Sequence, residues 1–211
     1  MMRYNYIVIE GNIGAGKTTL STMLSERYNG KLILEQFEDN AFLAKFYEDP
    51  DKYSFPLELS FLAERYQQLK KELTLQNLFH NFTVSDYFIN KSLIFARKTL
   101  NDDEYQLFLK LFTIMNANLP RPDLLVHLYV GVDRLQQNIK KRGRSYEQKI
   151  SDDYLFKIQD SYYEYLKQQQ NLRILVLELN NIDFVENEED FNLILSKINH
   201  DYPKGMTVIS L

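Results

Sequence analysis

The chain has 211 residues, no cysteine, only seven glycines and a formal net charge of −4. This length fits one domain with a substantial core, and the missing cysteine excludes disulfides, zinc-thiolate sites, iron-sulfur clusters and a cysteine nucleophile. The acidic balance and the lack of a long apolar run argue against nucleic-acid and membrane partners. We therefore expect a globular protein in the cytoplasm.

The first predicted strand leads into a glycine-rich loop. Residues 6–9 form a short apolar run, the loop GNIGAGKT follows, and a helical pattern continues from there. This is the phosphate-binding loop pattern in its strand-loop-helix setting. Glycines let backbone N–H groups approach phosphate oxygens, and the helix points its positive end at the same anion. The residues that we expect to bind nucleotide phosphates are Gly11, Asn12, Ile13, Gly14, Ala15, Gly16, Lys17, Thr18 and Thr19.

Two of these side chains have specific expected roles. Lys17 should reach the terminal phosphates, and the Thr18 hydroxyl should bind Mg²⁺. A glycine-rich turn without a ligand would not require a lysine followed by a threonine. The sequence therefore predicts nucleotide binding with a magnesium ion.

Four further apolar runs predict strands, at residues 31–34, 82–85, 124–129 and 172–177. Helical stretches separate them, and none has an alternating polar face. We predict an α/β fold with a five-stranded parallel sheet and helices on both faces. No linker or repeat divides the chain, so we expect a single domain over residues 1–211. The tail from residue 200 has no predicted function.

Carboxylates follow two of these predicted strands. Glu35 comes directly after the second run and Asp86 directly after the third. In an open parallel sheet, ligands bind beyond the carboxyl ends of the strands. One acid near a metal and one near an acceptor would suit phosphoryl transfer. Helix capping remains an alternative for Asp86.

Several separated segments together resemble the deoxynucleoside kinase family, whose members phosphorylate the 5′-hydroxyl of deoxyribonucleosides. The loop alone occurs in many nucleotide-binding proteins, but the order and spacing of all the segments are more specific. The likeness extends to about Asn192 and rests on the phosphate loop, Glu35, Phe46–Pro50, Tyr53–Phe55, Ile94–Ala96, Arg142–Glu147 and Asp183–Phe184. It implies a P-loop kinase fold with a helical lid at about residues 138–150, ATP and Mg²⁺ as cofactors, and a homodimer.

The resemblance also implies roles for individual residues. Glu35 matches the general base that accepts the proton of the 5′-hydroxyl, with nearby Glu38 as a competitor. Tyr47 and Glu147 match residues that bind the sugar 3′-hydroxyl, although Tyr47 could simply be a core aromatic.

The remaining matches concern the triphosphate and the adenine of ATP. Arg142 and Arg144 match the lid arginines that neutralise charge on the transferring phosphoryl group, although they could instead belong to a solvated basic patch. Asp183 and Phe184 match the loop that holds adenine, with the Phe184 ring as the stacking surface.

The chain departs from the family pattern at Glu58, where relatives usually have glutamine. Arg65 lies seven residues later on the same helix, so both side chains can reach one pocket. A carboxylate offers two acceptors, which suits the N1–H and N2–H donors of guanine, whereas adenine needs a protonated Glu58 or a bridging water. We expect a purine, deoxyguanosine ahead of deoxyadenosine; the alternative is that Glu58 and Arg65 pair with each other.

A second departure follows the third predicted strand, where relatives have an acid and an arginine. If the segment is aligned with the family from the end of the strand, Asp86 takes the acidic, magnesium-associated role and Tyr87 replaces the arginine. If the segment is aligned from Ile94–Ala96 instead, the alignment moves by one residue. Asp86 then faces the arginine position, and Lys91 falls on a base-contacting acidic position. In both alignments the arginine is missing, and Lys91 could supply its charge near the phosphate or at the purine O6.

The chain thus reads as an ATP- and Mg²⁺-dependent deoxynucleoside kinase of nucleotide salvage. A nucleoside monophosphate kinase similar to thymidylate kinase, or a nucleotide-binding module without catalysis, are the alternatives. The first test is the substitution Glu35→Gln, which we expect to fold normally and to lose most turnover.

Overall fold

The computed structural model describes residues 2–36, 40–74 and 79–211, except the side chains of Tyr47 and Tyr146. The chain forms two compact units. The sheet unit comprises Met1–Leu34, Asn77–Tyr87 and Pro122–Leu211, and the helical unit comprises Glu35–Gln76 and Phe88–Arg121. The single domain expected from the sequence stays a prediction. In the described ranges, no helix has both the length and the apolar character needed to cross a bilayer.

All strands of the described chain belong to the sheet unit. They are β1 (Tyr6–Gly11), β2 (Gly30–Ile33), β3 (Phe82–Ser85), β4 (Leu124–Tyr129), β5 (Arg173–Glu178) and β6 (Gly205–Ser210). They form one sheet in the order β2-β3-β1-β4-β5-β6, and every neighbouring pair is parallel. The predicted parallel α/β sheet is therefore confirmed, with β2 ending one residue earlier than expected.

The helices complete both units. In chain order they are α1 (Lys17–Tyr28), α2 (Leu43–Glu48), α3 (Pro50–Thr74), α4 (Lys91–Thr99), α5 (Asp102–Asn116), α6 (Val132–Arg142), α7 (Asp152–Lys167) and α8 (Glu188–Ile198). Helices α2 to α5 lie in the helical unit and the other four in the sheet unit.

The predicted strand count of five was wrong, because the tail adds a sixth strand. β6 lies at the sheet edge, pairs with β5 alone and is only partly covered, with Val208 47% exposed. An edge strand needs no continuous apolar run, which is the signal that identified the other strands. The run Thr207-Val208-Ile209 of β-branched residues after Gly205 was the signal available in the sequence.

The core of the sheet unit positions the phosphate loop. All six residues of β1 are buried, and α1 starts six residues after the strand ends. The loop between them turns through left-handed backbone at Gly14 (φ 81°) and Gly16 (φ 90°). A Cβ atom on Gly14 would lie 2.9 Å from the Leu135 carbonyl oxygen. Glycine is required there both for its backbone conformation and for this close approach.

In the helical unit, α3 combines apolar and charged residues on its covered face. Leu57, Leu62 and Leu69 are buried, and so are Glu58 and Arg65. A buried charge is costly unless it is paired or hydrogen bonded. The partners of these two residues therefore indicate what this face of the helix does.

Candidate active site

The phosphate loop is held by its own side chains. The Lys17 ammonium donates to the carbonyl oxygens of Gly11 and Asn12, both at 3.0 Å. The Asn12 side chain accepts from the Ile13 N–H at 2.8 Å and donates to the Leu155 carbonyl at 2.9 Å. The loop thus keeps a defined shape, with the lysine charge lying against it.

Thr18 and Asp86 are brought together beside this loop. The Thr18 hydroxyl donates to the Asp86 carboxylate at 2.5 Å, and the Asp86 N–H donates to the Ile33 carbonyl at 3.1 Å. Asp86 does not cap a helix, since α4 begins at Lys91 and its N-cap residue is Asn90. A hydroxyl and a carboxylate are oxygen ligands of the kind that Mg²⁺ prefers, so these residues fit the predicted metal.

A pocket of about 480 Å³ opens beside the phosphate loop. A cavity of this size can take a nucleotide-sized ligand. Residues 14–19, one side of α6 and the segment 179–186 line it, including Thr19, Arg142, Arg144, Asp183 and Phe184. Most of the predicted nucleotide-binding residues therefore share one pocket, whereas Gly11, Asn12 and Ile13 do not line it.

The two arginines predicted to belong to a lid, Arg142 and Arg144, both pair with Glu147. Helix α6 ends at Arg142, Gly143 turns the chain through left-handed backbone (φ 75°), and a short 3₁₀ turn carries Glu147. The Arg142 Nε donates to Glu147 at 3.0 Å, its Nη2 also bonds to that carboxylate, and the Arg144 Nη1 is 3.5 Å from it. The predicted contact of Glu147 with a sugar hydroxyl stays a prediction.

Sequence reasoning missed three residues of α6 that line the same pocket, Arg134, Asn138 and Lys141. Arg134 donates to the Leu179 carbonyl at 2.7 Å and Asn138 donates to the Gly14 carbonyl at 2.8 Å. These three residues are spaced i, i+4 and i+7, which places them on one helix face. That spacing was the signal in the sequence.

The segment predicted to hold adenine is hydrogen bonded at the pocket wall. The Asp183 carboxylate accepts from the N–H groups of Val185 and Glu186, both at 3.2 Å. Phe184 is only 7% exposed, and a Cβ atom on Gly16 would lie 3.0 Å from its ring. Since the phosphate loop covers part of this ring, the stacking of adenine on Phe184 stays a prediction.

In the helical unit, Glu35 is clamped between two cations. Its Oε1 accepts from the Arg65 Nε at 2.8 Å and from Nη2 at 2.6 Å, and its Oε2 accepts from the Lys91 ammonium at 2.7 Å. All three side chains are largely covered. The Lys91 ammonium thus lies against Glu35, and its predicted role near the phosphate or at the purine O6 stays a prediction.

This clamp determines the ionisation of Glu35. Burial alone would raise the pKa of the carboxyl group, but the charges and hydrogen bonds of Lys91 and Arg65 hold the pKa well below its usual range. Glu35 is therefore ionised throughout the neutral range. The stability that it contributes is present above its unfolded pKa and is lost only when the pH falls through the lower folded value.

Arg65 has partners that the sequence did not indicate. Its Nη1 donates to the Ser92 hydroxyl at 2.7 Å, and its guanidinium lies over the Phe61 ring at 4.9 Å. Together with the bonds to Glu35, these contacts fix the guanidinium plane. The alternative in which Arg65 and Glu58 hydrogen bond to each other is not adopted.

Glu58 is buried in a different environment. Its Oε1 accepts from the Thr99 hydroxyl at 3.0 Å, while its Oε2 has no hydrogen-bond partner among the described residues. Burial raises the pKa of Glu58 to about 7, although Arg65, Thr99 and Lys91 act in the opposite direction. Glu58 is thus a carboxyl group with one unused oxygen, poised between its two protonation states at neutral pH.

Two predicted residues cannot be placed. Glu38 lies outside the described residues. The backbone of Tyr47 belongs to α2, but its side chain also lies outside the described part of the chain.

The chain is similar to known proteins over most of its length. Residues 7–201 match the family model of deoxynucleoside kinase. The chain is 36% identical over 197 residues to the deoxyguanosine kinase of Bacillus subtilis (strain 168), covering 92% of this chain and 95% of that protein. It is 35% identical over 189 residues to the deoxyadenosine kinase of Dictyostelium discoideum, covering 87% of this chain and 75% of that protein. A solved structure of deoxyadenosine kinase from M. mycoides with bound dATP superposes with a TM-score of 0.78 at 26% sequence identity. The match covers 92% of this chain and 100% of that one.

The buried clamp changes what we expect of Glu35→Gln. The substitution leaves Arg65 and Lys91 covered and without their carboxylate, so the free energy of unfolding should fall by about 3 to 5 kcal/mol. Urea unfolding at pH 7 measures this change. The matched control is Glu164→Gln, which removes an exposed charge paired with Lys167 and should change stability by less than about 0.5 kcal/mol. Equal stability of the two variants would contradict the buried clamp.

Glu58→Gln should have the opposite effect on stability, and only at higher pH. A carboxyl group whose folded pKa is raised from 4.5 to about 7 destabilises the wild type as the pH rises through that interval. The neutral glutamine removes this cost, which is on the order of 3 kcal/mol. Unfolding measured at pH 5 and pH 8 should show the gain of the variant mainly at pH 8. A gain that is independent of pH would contradict the raised pKa.

Proposed function

Because the chain belongs to the deoxynucleoside kinase family, we propose that it transfers the γ-phosphoryl group of ATP to the 5′-hydroxyl of a purine deoxynucleoside. Deoxyguanosine is preferred to deoxyadenosine, and the reaction serves nucleotide salvage. The observation that carries this proposal is the ionised Glu35 carboxylate held by Arg65 and Lys91. A fixed carboxylate of this kind can accept the proton of an attacking hydroxyl.

ATP is the donor in this proposal, and the pocket beside the phosphate loop is its site. Lys17 and the loop N–H groups bind the phosphates, and Arg142 and Arg144 neutralise charge that develops on the transferring group. The residues that would hold Mg²⁺ are Thr18 and Asp86, which already contact each other. The metal supplies further neutralisation of phosphate charge.

Glu35 orients the acceptor and takes its proton. Its low pKa makes it a weak base, but phosphoryl transfer passes through a loose transition state in which the attacking hydroxyl becomes acidic only as the new bond forms. The position of the carboxylate therefore matters more than its basicity. Arg65 and Lys91 fix that position and keep the group charged.

Recognition of the nucleoside rests on residues that the resemblance implies. Tyr47 and Glu147 bind the sugar hydroxyl, and Glu58 with Arg65 reads the base. The unused Oε2 of Glu58 supports this assignment, because it is a buried acceptor available to a ligand. Two relatives named as deoxyguanosine and deoxyadenosine kinases also favour a purine.

We also propose that the protein is a cytoplasmic homodimer. On α5, Leu107 is 50% exposed and Ile114 is 67% exposed. A step of seven residues returns to nearly the same helix face, so the two side chains form an apolar strip suited to a second copy.

The alternative of a nucleoside monophosphate kinase fits less well. Such an enzyme must attract the phosphate of its acceptor, and the ionised Glu35 carboxylate would repel it. A binding module without catalysis would not need the proposed lid arginines and Glu147.

A product assay tests the proposal. With ATP and Mg²⁺, deoxyguanosine should give its monophosphate and one equivalent of ADP, whereas deoxyguanosine monophosphate should not react. Lys17→Ala should lower turnover by at least about 100-fold, because it removes a charge that stabilises the transferring phosphates. Lys157→Ala, which removes an exposed lysine paired with Asp153, is the matched control. Phosphorylation of the monophosphate alone, or nucleotide binding without any product, would contradict the proposal, and preference for a pyrimidine would contradict the role of Glu58.

Asp86→Asn tests the metal assignment. The amide is neutral, so the Mg²⁺ concentration needed for half-maximal activity should rise by about 10- to 100-fold. A titration of activity against Mg²⁺ measures this shift, with the exposed Asp160→Asn as the control. An unchanged Mg²⁺ requirement would remove Asp86 from the metal site.

A further inference from the structure

Glu58 and Thr99 form a hydrogen-bonded pair that the proposed function leaves unexplained. Glu58 lies on the covered face of α3, and Thr99 is the last residue of α4. The Thr99 hydroxyl oxygen is 3.0 Å from the Glu58 Oε1 and 3.1 Å from the Phe95 carbonyl oxygen. The other carboxyl oxygen, Oε2, is buried and without a hydrogen-bond partner in the described part of the chain.

The Thr99 hydroxyl can serve both protonation states of this carboxyl group. It has one proton and two lone pairs. When Glu58 is ionised, the hydroxyl donates its proton to Oε1. When Glu58 is protonated on Oε2, Oε1 is the carbonyl oxygen and still accepts from the hydroxyl, so the acid proton lies on the oxygen that has no partner in the described part of the chain. Neither state leaves the hydroxyl without a partner.

The charges around Glu58 do not force one state. Arg65 on α3 and Lys91 on α4 both favour the carboxylate, but each is bonded to Glu35. In the described parts of α2 and α5, no charged side chain adds to these effects on Glu58. Burial favours the neutral acid and so opposes the effect of the two cations. The resulting pKa of about 7 means that both forms of Glu58 are populated at neutral pH.

The two forms complement different purines. Guanine presents two adjacent donors, N1–H and N2–H, and a carboxylate offers two acceptors. Adenine presents an acceptor, N1, beside a donor, N6–H. A carboxylic acid offers one donor and one acceptor, which is the pattern that a glutamine amide also offers.

We propose that Glu58 reads guanine as a carboxylate and adenine as a carboxylic acid, and that Thr99 is the positioning residue that supports both forms. The pair would let one base pocket take either purine, with a preference that depends on proton uptake. This inference rests on the proposed function, because it assigns Glu58 to the base-binding site of a purine deoxynucleoside kinase.

The measurement is the ratio of kcat/KM for deoxyguanosine to kcat/KM for deoxyadenosine between pH 6 and pH 8.5. Titrations of Glu35, of the metal site and of ATP affect both substrates alike and cancel in this ratio. If each base binds only one form of Glu58, the ratio should rise by about tenfold per pH unit. The kcat/KM for deoxyguanosine alone should fall on the acid side of its pH profile, and the midpoint of this acid limb should lie near the pKa of about 7.

Three variants separate this reading from a structural role. Glu58→Gln carries a fixed donor and acceptor, so its ratio should favour deoxyadenosine and should not change with pH. Thr99→Val removes the hydroxyl that stabilises the carboxylate, and the acid limb for deoxyguanosine should move to higher pH. Thr99→Ser restores the hydroxyl and should return the limb to the wild-type position.

Several outcomes would overturn the inference. A wild-type ratio that is constant with pH, while both purines are phosphorylated, would leave the kinase function intact and remove Glu58 as the discriminating group. Turnover of only one purine at every pH, or a Glu58→Gln ratio equal to that of the wild type, would do the same. Absence of product from both purines at every pH would overturn the proposed function together with the inference.

Discussion

Pairing of buried charge is the constraint on which the candidate site depends. A carboxylate that leaves water must find cations or donors, and Glu35 finds both in Arg65 and Lys91. The free-energy cost of burying and ordering these charged side chains arises when the helical unit folds, before any substrate binds. The same arrangement keeps the carboxylate ionised and points it in one direction, as the proposed reaction with an acceptor hydroxyl requires.

Two other groups in the sheet unit follow the same principle. The Thr18 hydroxyl is bonded to Asp86, and the lid arginines are bonded to Glu147. Glu58 is the exception, since one of its oxygens is buried without a partner.

The parts of this arrangement that the sequence predicts are those set by local pattern. The phosphate loop needs glycines at fixed positions, and Asp86, which was expected at the carboxyl end of the third strand, lies against Thr18. Lys91 could not be assigned to Glu35 in advance, because that contact depends on how α4 packs on α3. The pairing of Thr99 with Glu58 has the same origin and left no signal in the sequence. The edge strand β6 was missed because its residues are only partly buried.

The central claim is that neighbouring cations keep the buried Glu35 ionised, whereas burial raises the pKa of Glu58 to about 7. Carbon-13 NMR of the labelled glutamate carboxyl groups tests it directly, with Glu58→Gln and Glu35→Gln used to assign the two resonances. The Glu58 resonance should titrate with a midpoint at about pH 7, and the Glu35 resonance should not shift between pH 5 and pH 9. Titration of both carboxyl groups near the ordinary value of about 4.3 would contradict the account.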